Sequence, residues 1–142
     1  MPVPPASLLR RPVFPGGRVG VDRRQTEEAG TKTIQASDVV RQVFAAYVSD
    51  DRDLVEAALA DDFTFSSPPD PHLDRAQYFE GCWPNNEMVE RFGFRRILEE
   101  DGEVFVTYDL EKSDGGRGRN TEYFVVEERK IRRCEVYSGP SL

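Results

Sequence analysis

The chain has one histidine, His72, and an imidazole titrates close enough to neutrality to serve as a general base. Asp70 and Asp74 flank it, and either carboxylate is near enough in the chain to orient the ring. The competing reading is a surface-loop histidine with no role. Glu122 is a second candidate, in the run Asn120-Thr121-Glu122-Tyr123-Phe124. Side chains alternate along a strand, so Asn120, Glu122 and Phe124 share one face. If that face is inward, burial raises the carboxyl pKa and Glu122 becomes a candidate acid or base. If it is outward, Glu122 is a solvated charge or pairs with an arginine such as Arg133.

Other reactive types suggest less. Cys82 and Cys134 are too few for a disulfide framework and read as free, packed thiols of a cytoplasmic protein. One histidine, two distant cysteines and loop carboxylates show no metal-ligand spacing, so neither a metal nor another cofactor is expected. Gly115-Gly116-Arg117-Gly118 reads as a turn between strands and lacks the following helix that would hold a phosphate.

Charge narrows the partners. Six Lys/Arg against three Asp/Glu give residues 1–33 a charge of +3, so residues 34–142 carry −10 of the overall −7. An acidic folded part argues against a nucleic-acid surface. No apolar run approaches a membrane helix of about 20 residues, and Met1 to Gly20 lacks the apolar stretch of a secretory signal. No membrane partner is expected.

These residues must be positioned by a single domain. Residues 1–33, with five prolines and four glycines, read as a disordered extension, and 34–142 as the domain. Val39, Val40, Val43, Phe44, Tyr47 and Val48 recur at the helical period after a start near Ser37. Asp50 or Asp51 caps a second short helix with Leu54, Val55, Ala58 and Leu59 inward. Asp62–Ser66 alternates as a short strand, and Pro68, Pro69 and Pro71 then force a loop. Asp74 caps a third helix with Gln77 three residues on, Leu73 and Tyr78 form a hydrophobic staple, and Pro84 ends it. Strands follow at about Met88–Glu99, Glu103–Lys112, Arg119–Glu127 and Lys130–Ser138. Asp101-Gly102 is a strong hairpin signal, and Glu128-Arg129 is a second tight link. Helices followed by a strand meander predict an α+β domain, a bent antiparallel sheet with helices on one face and a cavity between the layers.

Three stretches carry a family resemblance: Leu59 to Pro68, the helix Leu73 to Trp83, and Asn120-Thr121-Glu122-Tyr123-Phe124 with Lys130-Ile131 and Glu135-Val136-Tyr137. From about Ile34 to Gly139 the chain resembles the SnoaL-like branch of the nuclear transport factor 2-like superfamily. The resemblance implies a cone-shaped α+β barrel, three helices packed on a strongly bent, mostly antiparallel sheet around an apolar cavity. It also implies a homodimer through the outer sheet face. One scaffold here hosts isomerases, cyclases, hydrolases, dehydratases and non-catalytic binding proteins, so the fold does not choose among them.

Ketosteroid isomerases of this fold use a carboxylate base with a tyrosine and a protonated acid as oxyanion hole. The base position, before the proline after the first strand, is Ser67 here. The tyrosine position on helix one is Val43, with Tyr47 one turn later. The protonated-acid position falls on Glu122. The isomerase reaction itself is therefore not expected. The resemblance also places the loop carrying His72 near the cavity mouth.

Two readings remain. In one, the domain does cofactor-free acid–base chemistry of cyclase, isomerase or hydrolase type on a small apolar molecule. Glu122 and His72 would transfer the proton, Asp70 would orient His72, and Phe44, Tyr47, Phe63, Trp83, Tyr108, Asn120, Cys134 and Val136 would line the pocket. In the other, it is a non-catalytic ligand-binding or dimerisation module.

Overall fold

The computed structural model describes Ile34–Leu142. The expected extension at residues 1–33 lies outside the described residues.

Helix α1 spans Ala36–Val48 and buries Val39, Val40, Val43, Phe44 and Ala46. It starts one residue before Ser37, with Gln35 preceding the first turn, and the Asp38 carboxylate reaches back to accept from the Gln35 N–H at 3.0 Å. The Ser37 N–H donates instead to Glu99 Oε1. Asp50, at φ 59°, turns the chain into α2, Arg52–Ala58, whose N-terminus is capped by Asp51 accepting from the Leu54 N–H at 3.2 Å.

α2 runs straight into β1, Leu59–Ser66. The alternation at Asp62–Ser66 marks only the second half of this strand. Leu59 and Ala60 are both buried, and a register shift separates Leu59 from Thr64, so the strand opens without period two. β2, only Leu73–Asp74, pairs with Phe65 and Thr64. It leads into α3, Arg75–Gly81, with the expected reciprocal cap. Asp74 Oδ1 accepts from the Gln77 N–H at 2.8 Å, and Gln77 Oε1 accepts from the Asp74 N–H at 2.9 Å. Pro84 does not stop the chain from coiling; a 310 turn over Trp83–Met88 follows.

β3 (Val89–Glu100), β4 (Glu103–Lys112), β5 (Arg117–Glu127) and β6 (Lys130–Ser141) form the meander. Asp101 and Gly102, at φ 49° and 80°, make the first hairpin turn. Glu128 and Arg129, at 51° and 65°, make the tight link without glycine. β6 runs three residues past Ser138 and pairs Ser141 with Gly118. A Cβ on Gly139 would lie 2.3 Å from the Arg119 carbonyl oxygen, so only glycine permits this close pairing.

The six strands lie in the order β2-β1-β6-β5-β4-β3, all antiparallel except β1 beside β6. The sheet is curved but does not close, so the expected barrel is an open, curled α+β sheet ending at β2 and β3. The core lies between its inner face and the helices, with Val40, Val55, Val104, Val106 and Ile131 fully buried. Among the described residues no helix is long and apolar enough to cross a membrane.

Candidate functional site

Alternation builds one wall of the site. Tyr108 and Leu110 of β4, Asn120, Glu122 and Phe124 of β5, and Cys134 and Val136 of β6 all point to the inner face. Val43, Phe44 and Tyr47 from α1 and Tyr78 from α3 face them. Between the layers is a cavity of about 440 Å³. Ser67, Pro69 and Asp70 of the proline-rich loop, with Asn85, Met88 and Lys112, also border it. Among the described residues, Lys112 is the only cationic one in that lining.

Its polar centre is a short chain of hydrogen bonds. The Tyr108 hydroxyl donates to Glu122 Oε1 at 3.2 Å and accepts from Asn120 Nδ2 at 3.4 Å. Asn120 Oδ1 in turn accepts from the Gly139 N–H at 3.3 Å, which fixes the amide's orientation. Glu122 has some accessible surface, but that surface opens onto the cavity and protein surrounds the carboxyl. Burial raises its pKa from the ordinary 4.5 to about 7, against the opposing pull of the Tyr108 hydrogen bond. Burial, and then the nearby Glu122, push the Tyr108 hydroxyl far above its usual range, so it remains a donor. Tyr47 is raised by burial and by neighbouring Cys82 and Glu122, and its hydroxyl donates to the Cys82 carbonyl at 3.3 Å. A carboxyl near pH 7, held by a permanent donor in an apolar cavity, can give or take a proton at neutral pH.

The structure brings Phe44, Tyr47, Phe63, Tyr108, Asn120, Cys134 and Val136 into the cavity lining with Glu122. Trp83, expected among them, is not in that lining. It starts the 310 turn and packs into the core, edge-on to Tyr47 at 5.5 Å and against Phe79 at 6.2 Å. His72 is not brought to Glu122 either. It is exposed in the loop at φ 59°, where its N–H donates to Ser66 Oγ. Asp70 borders the cavity, but no hydrogen bond joins it to His72; its backbone bonds to Ser67. Ser67, at the position of the absent base, borders the cavity too. Burial first, and then the charge of Asp70, push the Cys82 thiol up to about 11, and burial also raises Cys134 well above the ordinary thiol range. Both thiols are thus protonated and inert as nucleophiles near neutrality. Among the described residues no three His, Cys, Asp or Glu side chains are gathered to hold a metal.

Sequence reasoning missed Tyr78 and Phe92 as lining residues. Tyr78 was accounted for as half of a helix-capping staple. Its ring does pack on Phe63, Phe65 and Phe79, but its residue also borders the cavity.

No family model and no curated protein matches the sequence. Solved structures do match. A nuclear transport factor 2-like protein of unknown function from Cytophaga hutchinsonii is 20% identical, with a TM-score of 0.63 over 78% of this chain and 96% of that one. IdmH, a candidate polyketide cyclase from Streptomyces antibioticus, is 16% identical, with a TM-score of 0.63 over 74% and 92%. A candidate ketosteroid isomerase from Kribbella flavida is 18% identical, with a TM-score of 0.64 over 76% and 80%. At these identities the likeness establishes the fold, which is that of the nuclear transport factor 2-like proteins.

Proposed function

We propose that the cavity binds a small, largely apolar molecule and that Glu122 moves a proton on it without a cofactor, in chemistry of the cyclase, isomerase or hydrolase kind. The observation that carries this reading is the Glu122 carboxyl itself. It titrates near neutrality, is held by Tyr108, and faces an aromatic-walled space of about 440 Å³. The candidate cyclase and isomerase among proteins of this fold support the same class of chemistry. His72 has no part in the central step, and Asp70 meets the ligand at the cavity mouth. Two buried free thiols suit a reducing compartment, so the proposed location is the cytoplasm.

The test is a screen of polyketide, steroid and terpenoid fragments for raised melting temperature, followed by turnover of the hits. Glu122→Gln is expected to abolish turnover while the fragment still binds. Full turnover by that variant would remove Glu122 from the mechanism.

One observation favours the second reading, a non-catalytic dimerisation module. On the outer sheet face Leu98 pairs with Phe105, and Phe105 with Tyr123, its ring 4.8 Å away. This is an exposed apolar row of the kind that a second copy would cover. A dimer through this face is compatible with a working cavity on the other.

A further inference from the structure

The titratable side chains packed around Glu122 are neutral at neutral pH. Tyr108 of β4 donates to Oε1, and Tyr47 of α1, Tyr78 of α3 and Cys134 of β6 lie near enough to feel its charge. Burial raises all four, and Cys82 with them, so these phenols and thiols keep their protons. Among the described residues no arginine, lysine or histidine forms an ion pair with Glu122. Lys112 borders the cavity, but it is exposed and lies four residues beyond Tyr108 on β4, about 13 Å at the rise of a strand. Asp70, the other charged residue of the lining, is an acid itself. Tyr108 is also the only hydrogen-bond partner of the carboxyl among the described residues, so Glu122 Oε2 is left to whatever fills the cavity.

A carboxyl so placed escapes an uncompensated buried charge in one of two ways: it holds a proton, or it meets a cation. The protein supplies no cation at this point, so a ligand must. The surroundings favour one. Phe44, Phe92 and Tyr108 border the cavity and pack on one another with centroids 4.9–5.2 Å apart, and aromatic rings attract cations through their quadrupoles. The charge of −10 on residues 34–142 raises the concentration of cations around the domain. An anionic ligand would instead meet like charge at both Glu122 and Asp70. We propose that the cavity selects an apolar ring molecule carrying a primary ammonium group, bound with its ammonium against Glu122 Oε2 and its ring on the aromatic wall. This rests on the proposed binding role of the cavity and names its ligand class. The bound cation favours the ionised carboxyl, which is the form that accepts a proton. Glu122 gives up its proton as the ammonium enters, so affinity for the amine rises as pH passes upward through about 7. Affinity for a neutral hydrocarbon has no such rise.

The experiment compares 2-(aminomethyl)naphthalene with its carbon isostere 2-ethylnaphthalene, measuring dissociation constants at pH 5 and pH 8 for the full chain and for Glu122→Gln. In the wild type at pH 8 the amine is expected to bind about tenfold more tightly than the hydrocarbon, and that preference is expected to shrink at pH 5. Glutamine is expected to weaken the amine about tenfold at pH 8, to remove its pH dependence, and to leave the hydrocarbon bound at least as well as in the wild type. An amine preference that survives in Glu122→Gln would belong to the overall negative charge and overturn the proposal. Equal weakening of both probes by the substitution would overturn it as well. If the hydrocarbon binds the wild type but the amine gains nothing over it at pH 8, the cavity remains a binding site and only the preference for an ammonium fails. If neither probe binds the wild-type chain, the binding role of the cavity fails with it.

Discussion

The Tyr108 hydroxyl donates to Glu122 Oε1 at 3.2 Å across neighbouring strands, and burial of that carboxyl, against the opposing pull of this bond, sets how the protein responds to pH. Glu122 stays protonated up to about pH 7 in the folded chain, against an ordinary 4.5. Between those values the folded state holds a proton that the unfolded state has lost. Stability therefore falls as pH rises through this window. At 1.36 kcal/mol per pH unit, the cost above pH 7 is about 3 kcal/mol. Glutamine still accepts from Tyr108 but cannot ionise. Glu122→Gln is therefore expected to match the wild type at pH 4 and to exceed it by about 3 kcal/mol at pH 8, measured by urea denaturation. Equal stabilities at pH 8 would mean that the carboxyl is solvated.

The thiols give a second check on the same interior. Cys82 at about 11 is almost entirely protonated at pH 8, and it is buried. Its thiolate fraction is about a hundredfold below that of a thiol at the ordinary 9.0. Disulfide-exchange labelling of the native protein at pH 8 is expected to run at least about a hundredfold slower than for a cysteine peptide. In denaturant both thiols should react quickly. Asp70→Asn removes a charge that raises Cys82, so labelling should become somewhat faster. Rapid labelling of the native wild type would contradict the enclosed site.

Gly139 links strand pairing to the site. Its missing Cβ leaves room for the Arg119 carbonyl, and its N–H fixes Asn120, which holds Tyr108. Gly139→Ala places a methyl group 2.3 Å from backbone oxygen, so the strands must separate. A loss of about 1–3 kcal/mol is expected, with weaker ligand binding. Gly118→Ala is the matched control, because its nearest new neighbour is an ordinary 3.8 Å away. Equal effects of the two substitutions would show that the close approach is not what matters.

How far the site could be read from the chain depended on local periodicity. Glu122, Asn120 and Phe124 were readable as one face because β5 is regular there and period two needs no tertiary information. The Asp74–Gln77 cap was readable because its partners are three residues apart. The start of β1 was not, since Leu59 and Ala60 are both buried and erase the alternation. Trp83 was misplaced because it follows α3 in a 310 turn, where the helical period no longer says which way a side chain points. His72 and Asp70 are two apart in sequence, yet His72 is itself left-handed at the end of the proline-rich loop, and proximity in the chain did not become contact. Tyr78 was hidden by its second role, because a residue that satisfies a local staple leaves no unexplained signal.

The outer face of the sheet makes the last prediction. Leu98 is 63% exposed, Phe105 47% and Tyr137 56%, on the side away from the helices. A solvated antiparallel face normally carries polar residues at such positions. Leu98 and Phe105 are paired across β3 and β4, so a charge at Leu98, on the edge strand, falls directly beside Phe105 in the row. Burying them against a second copy would remove both from water at roughly 25 cal/mol per Å². In sedimentation equilibrium the wild type is expected to be a dimer and Leu98→Glu a monomer with unchanged circular dichroism. Because the cavity lies on the opposite face, Leu98→Glu should bind cavity ligands as the wild type does. A wild-type monomer at micromolar concentration would rule out this face as a stable self-interface, and lost ligand binding in a folded Leu98→Glu monomer would show that the two faces are coupled.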